Sequence, residues 1–154
     1  MTISLKKIIR LALVLSLVLL LPSPASYSET PNDYTKQGYE KYNAGHLDEA
    51  AILLDKAIEL NPSSPDAYYY RGAVYHDLGH LDEAIINYSK AIEINPEMVI
   101  AYSNRGSAYD ELHQIEEAIA DHTEAIKLDS KNATNYNNRA NSYMSKGEYG
   151  LAIN

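Results

Sequence analysis

Five histidines, a pair of adjacent acids that recurs with the period and a recurring arginine are the side chains in this sequence with chemistry to offer. His76 and His80 lie four residues apart with Asp77 between them, a spacing that suits a metal ion only where the backbone holds both rings in place. Gly79 interrupts the helix between them, so no metal is expected there. His46 and His80 share one position of a 34-residue period, His113 sits in the equivalent turn, and His122 falls on an apolar stripe, where a packed, hydrogen-bonded imidazole is expected. Asp48-Glu49, Asp82-Glu83 and Glu116-Glu117 could serve as general acids and bases. They recur at a single position at helix starts, which assigns them to the helix dipole and to solubility. Arg71, Arg105 and Arg139 recur beside a small residue; their stems are expected to be buried and their heads to rest on neighbouring carboxylates.

Other catalytic signals are missing. There is no Cys, so no thiol nucleophile, thiolate metal site, disulfide or lipid-modified N-terminal Cys. The sequence holds no G-x-S-x-G, no phosphate-cradling Gly loop and no H-E-x-x-H. Asn87-Tyr-Ser and Asn132-Ala-Thr match a glycosylation acceptor by chance, Asn87 within a helix. The expectation is therefore no enzyme, no cofactor and no metal. The formal charge is -8 over 154 residues, with 45% hydrophobic residues. That hydrophobic content excludes a disordered polyanion. Setting aside Lys6, Lys7 and Arg10 near the start leaves the remainder more acidic still, a surface that phosphate backbones repel, so nucleic acid is not expected as a partner.

The elements that position these side chains follow from self-comparison. Copies span 31–64, 65–98 and 99–132, and a fourth begins at 133 and reaches 154. Position 4 of each copy is Tyr34, Tyr68, Tyr102 or Tyr136, position 8 is Gly38, Gly72, Gly106 or Ala140, and position 11 is Lys41, Tyr75, Tyr109 or Tyr143. Spacings of i, i+4 and i+7 define one helix face, and the small residue lets a second helix approach closely. Position 15 (Gly45, Gly79, His113, Gly147) provides the left-handed residue that ends the helix. Ala50, Ala84, Ala118 and Ala152 at position 20 begin a second stripe, continued by Leu54, Tyr88 and His122 at 24 and by Ala57, Ala91 and Ala125 at 27. Asn61-Pro62 and Asn95-Pro96 close their copies, and Asp129-Ser130 is expected to keep the turn without Pro. Helices are expected over 32–44, 48–60, 66–78, 82–94, 100–112, 116–128 and 134–146, with a stub from 150. One hairpin with a stripe on both sides cannot bury both; stacked copies can.

The pattern Y-x3-G-x2-Y…A-x3-[YL]-x2-A…P, in register over 31–154, resembles the tetratricopeptide repeat (TPR) family. The resemblance implies an all-α fold, a right-handed solenoid of antiparallel helix pairs with about three and a half repeats. It also implies a concave groove lined by positions 2, 5, 6, 9, 12 and 13 of each first helix. Those positions differ from copy to copy while the packing positions do not, as a binding surface on a fixed scaffold would. Copies one and two offer Tyr39, Tyr42, Tyr69 and Tyr70, with His76 and Asp77. Copies three and four offer Asn104, Asp110, Asn137, Asn138 and Asn141. Tyrosines suit apolar segments, and amides can pair with a peptide backbone. Asn104 and Asn138 resemble two rungs of the asparagine ladder of some TPR proteins. Asp66, Asp77, Asp110 and Glu111 favour a segment bearing Lys or Arg. The family's carboxylate-clamp positions hold Thr35, Tyr39, Tyr70, Ile100 and Asn104, so no such clamp is expected.

The first 28 residues read as an address. Lys6, Lys7 and Arg10 precede the apolar run Leu11–Leu21, and small residues follow, the parts of a secretory signal peptide. As helix that run spans about 16 Å, short of the roughly 30 Å hydrocarbon core. An uncleaved signal anchor is the alternative, and the membrane is expected as a partner only through this segment. The placement expected is exported, periplasmic or secreted. Copy four has only the start of its second helix, so the chain is expected to be part of a longer protein or to dock its open end. Rivals to a peptide-binding scaffold are thus the lead-in to a catalytic domain and a module that self-associates through that end.

Overall fold

A computed structural model of the chain describes residues 29–147; residues 1–28, read above as a signal, and the stub expected from 150 lie outside them. Seven helices follow one another: α1 Pro31–Asn43, α2 Leu47–Leu60, α3 Pro65–Asp77, α4 Leu81–Ile94, α5 Val99–Glu111, α6 Ile115–Leu128 and α7 Ala133–Lys146. Each lies within about one residue of the expected range, so the period carried the boundaries well.

The turns explain that agreement. Thr30 caps α1 in a reciprocal box with Asp33, followed by Pro31 at the first helical position. At α3 Ser64 accepts from the Ala67 amide and Pro65 again takes the first position, without the reciprocal half of the box, and the Asn132 side chain accepts from the Thr134 amide at α7. Between the two helices of a copy, Gly45 N–H donates to Tyr42 O and His46 N–H to Lys41 O. The same pair of bonds returns at Gly79 and His80 and at His113 and Gln114. This double closure needs one left-handed residue, supplied by Gly45 (φ 77°), Gly79 (φ 77°) and, in copy three, His113 (φ 59°). At the ends of α2, α4 and α6, Asn61, Asn95 and Asp129 accept from the amide two residues on, at 3.1, 3.2 and 3.1 Å. Asp129 thus keeps the turn without the proline.

Each helix packs on the next in sequence, and α1, α3, α5 and α7 also touch one another in succession, whereas α2, α4 and α6 do not. The first helices therefore crowd on the inner side of a curved stack and the second helices splay on the outer side. The core is thin and rich in alanine: Ala50, Ala57, Ala84, Ala91, Ala118 and Ala125 are fully buried. Position 8 is a notch for position 24. A Cβ on Gly38 would lie 2.7 Å from Leu54 Cγ, on Gly72 2.8 Å from the Tyr88 ring, and on Gly106 2.7 Å from His122 Cε1.

A second buried stripe was not anticipated. Ala67 and Ala101 at position 3, and Val74, Ala108 and Ser142 at position 10, are all fully buried, Val74 and Ser142 against the preceding copy. In copy one the same places hold Asp33 and Glu40, both exposed, so that face of α1 is polar. Among the described residues, no helix is long and apolar enough to cross a membrane.

Candidate functional site

The inner surface is built from four first helices whose groove-facing side chains differ. In copies one and two the tyrosines form a chain. The Tyr39 and Tyr70 ring centroids lie 4.9 Å apart, those of Tyr69 and Tyr70 5.1 Å, and those of Tyr69 and Tyr88 5.9 Å. These are tilted and edge contacts, the geometries that ring quadrupoles prefer. Tyr39 remains exposed while Tyr88 is fully buried, so the chain runs from groove to core. Asn104 on α5 donates from Nδ2 to the Tyr69 hydroxyl at 3.2 Å, joining copies two and three across the groove floor.

Beside Tyr39 and Tyr70 lies a cavity of 330 Å³, lined also by Asn32, Thr35, Lys36, Ser64 and Asp66. It offers two aromatic faces, one ammonium and one carboxylate. Thr35 is less open than its position suggested: it is buried, and its hydroxyl donates to Pro31 O at 3.0 Å. Burial pushes the Tyr69 and Tyr70 phenols above their ordinary range. The Tyr42 phenol is pushed up to about 12, first by burial and then by its hydrogen bond to Asp77.

Farther along, His76 Nε2 meets Glu111 Oε1 at 3.0 Å, joining the ends of α3 and α5. His76 therefore pairs with a carboxylate of the next copy and not with His80, whose ring stacks on Tyr75. Among the described residues, no three His, Asp or Glu side chains converge as a metal site. Asp77 and Glu111 end α3 and α5, where a carboxylate opposes the helix dipole. Both already have partners, Glu111 in His76 and Asp77 in Tyr42.

Two of the groove assignments are revised. Asp110 is not an open groove charge: its Oδ2 accepts from His122 Nε2 at 3.2 Å and from Ser142 Oγ at 2.7 Å. Asn104 has committed one amide hydrogen to Tyr69, which leaves its other hydrogen and its carbonyl. Asn137 and Asn141 on α7 are exposed, and Asn138 is half-buried. Tyr42 is half-buried beside Leu54.

Two of the recurring arginines, Arg71 and Arg105, tie copies together, while Arg139 lies over the Tyr136 ring of its own copy. Arg71 donates from Nε to Asn87 in its own copy at 2.7 Å and from Nη1 to Asp55 of the previous copy at 2.6 Å. Arg105 does the same with Asp121 and Ser89. Sequence reading missed the partners, though a signal was present: position 23 is Asn87 or Asp121 where position 7 is Arg, and Leu53 where it is Gln37.

This is an α-solenoid of stacked helical hairpins carrying a variable inner face on a recurring frame. The family description "TPR repeat" matches residues 38–79 and 72–113, and "Tetratricopeptide repeat" matches 99–132. The chain belongs to the tetratricopeptide-repeat family. No curated protein sequence matches it. Among solved structures, that of MamA is similar over 83% of this chain and 75% of its own, at 23% identity and a TM-score of 0.79. The first TPR of Spaghetti (RPAP3), bound to the HSP90 peptide SRMEEVD, covers 78% of this chain over 95% of its own (24% identity, TM-score 0.75). The TPR domain of Arabidopsis OM64 covers 74% over 94% (27% identity, TM-score 0.72).

Proposed function

We propose that this protein is a non-enzymatic interaction scaffold that holds an extended segment of another protein in its inner groove, on the far side of the cytoplasmic membrane. One observation carries the groove assignment. The side chains that differ between copies form a continuous band, from Tyr39 through Tyr70 and Tyr69 to Asn104, while the packing positions repeat. The RPAP3 structure, with its HSP90 peptide, supports peptide binding on this kind of scaffold. The export reading is supported by the basic start, the Leu11–Leu21 run and the small residues after it.

The chemistry of the groove favours a segment with an apolar side chain for the Tyr39–Tyr70 cavity and a Lys or Arg near Asp77 and Glu111. An acidic peptide such as SRMEEVD meets Asp66, Asp77 and Glu111, and finds Thr35, Tyr39, Tyr70, Ile100 and Asn104 at the clamp positions. Fluorescence anisotropy with labelled peptides tests this. A peptide carrying Leu and Lys is expected to bind, and SRMEEVD to bind far more weakly. Tyr69→Ala and Asn104→Ala are each expected to weaken binding by about tenfold, the scale of a buried contact residue. Unchanged affinity in both variants with intact helicity would defeat the groove assignment. For export, N-terminal sequencing of the mature protein decides: retention of Met1 rules out cleavage.

A further inference from the structure

Positions 12 and 24 face each other in copies one, two and three. The pairs are Tyr42 and Leu54, His76 and Tyr88, and Asp110 and His122. In copy one the pair meets as hydrocarbon, Tyr42 packing on the cluster that contains Leu54. In copy two it is an edge contact of two rings, 6.3 Å apart. Copy three alone sets a carboxylate against an imidazole there. Leu54 shows that the position is satisfied by carbon, so a titratable pair is not something the repeat requires for packing.

His122 is fully buried, with its ring against Gly106. A carboxylate accepts and does not donate, so the hydrogen between the two lies on Nε2. Nδ1 then carries a bare lone pair, and it has no partner; neither has Asp110 Oδ1. The same Oδ2 that holds His122 also holds Ser142 Oγ, and Ser142 is fully buried on α7. One carboxylate oxygen thus ties α5, α6 and α7 together.

We propose that Asp110, His122 and Ser142 form an acid-released clasp: a second proton on His122 ejects the imidazole from against Gly106, frees Asp110 from Ser142 and loosens α7 from the stack. The proton would have to enter at Nδ1, where it would make a buried donor with no acceptor. The charged groups facing the ring are Asp110 from α5 and Asp121 from its own helix, the latter held by Arg105 of α5. Glu111 beside Asp110 is engaged by His76 of α3, and α7 contributes the uncharged Ser142. Burial holds the His122 pKa below its ordinary 6.5, against the pull of Asp110 and Asp121. The unfolded chain therefore takes the proton more readily. The contribution of His122 to stability is complete above about pH 6.5 and is lost as pH falls toward the folded-state value. Loosening α7 would also withdraw Asn137, Asn138 and Asn141 from the groove; that consequence rests on the proposed function, whereas the clasp does not.

Hydrogen exchange on the full chain at about pH 7.5 and about pH 5, expressed as protection factors, reads the clasp helix by helix. Protection in α7 is expected to fall on the order of tenfold for each unit by which His122 is depressed, with α1 and α2 unchanged. His122→Leu, the residue that copy one uses, is expected to abolish the response. Unchanged α7 protection, an equal loss through all helices, or the same loss in His122→Leu would overturn the proposal. Should His122→Leu not fold, Asp110→Asn serves instead. It keeps an acceptor but removes the charge that favours imidazolium, so the loss at pH 5 is expected to deepen. A loss no deeper than that of the natural chain overturns the clasp. Peptide affinity enters neither readout, so a failure of the groove assignment leaves this test intact.

Discussion

Arg105 grips Asp121 with two parallel hydrogen bonds, Nε to Oδ2 at 2.7 Å and Nη2 to Oδ1 at 2.8 Å, and keeps Nη1 for Ser89 of the preceding copy. Asp121 is buried, so the pair is worth more broken than made: truncating one partner strands the other. Arg105→Ala is expected to destabilise the chain by about 3 kcal/mol, read as a lowered urea midpoint. The double variant Arg105→Leu/Asp121→Leu is expected to recover much of that loss. Arg71→Ala is expected to cost less, because Asp55 remains exposed and hydrates itself when released.

The glycine notches rank by what stands opposite. At Gly72 an added methyl meets a fully buried Tyr88 ring at 2.8 Å and the Ala84 carbonyl at 3.3 Å. At Gly38 it meets the branched end of Leu54, which has other rotamers available. Gly72→Ala is expected to cost about 2 kcal/mol and Gly38→Ala about 1 kcal/mol, in the range of overpacked cores. Thermal melts of the two variants give the order; a reversed order would show that the Tyr88 ring moves more easily than Leu54.

The difference between what was legible and what was not follows the period. The notch and its filler sit 16 residues apart within one copy, and three glycines marked it. The left-handed turn was equally plain, even with His113 in the glycine's place. Asp110 was misread because its partner Ser142 lies in the next copy, and a lone serine at position 10 announces nothing when its counterparts are Val74 and Ala108. The buried stripe at positions 3 and 10 was hidden for a related reason. Asp33 and Glu40 occupy it in copy one, so the first copy disguised a face that the later copies bury. The linkage of the tyrosines through Asn104 to Tyr69 depends on how far α5 stands from α3, which no spacing encodes.

His113 tests the turn. Its φ of 59° is left-handed, where a side chain costs about 1 kcal/mol, and copies one and two place glycine there. Its ring is exposed, so little packing is lost with it. His113→Gly is expected to stabilise the chain by about 0.5 kcal/mol, the relief of strain exceeding the extra chain entropy that glycine loses. A rise in melting temperature checks it, and a fall would show that the imidazole contributes more than the strain removes.

Tyr42 supplies the last test, because it links the groove to the core. Its phenol donates to Asp77 and lies half-buried beside Leu54, and both effects favour the neutral form, up to about 12. A group whose folded value is raised contributes stability that is complete below its unfolded value and lost above it. Stability is therefore expected to hold up to about pH 10 and to decline between about 10 and 12, where the unfolded chain gives up this proton and the folded chain does not. Absorbance of tyrosinate should show several phenols that titrate late in the folded protein, Tyr69, Tyr70 and Tyr88 among them, and Tyr42→Phe should reduce that late amplitude by one phenol. The same substitution deprives Asp77 of its donor while keeping the ring against Leu54. If Asp77 is the carboxylate that greets a Lys or Arg in the groove, Tyr42→Phe leaves it fully available and should tighten a Lys-bearing peptide without changing one that carries only Leu. Equal effects on both peptides would instead place the contact of Tyr42 with its ring, not with the charge it holds.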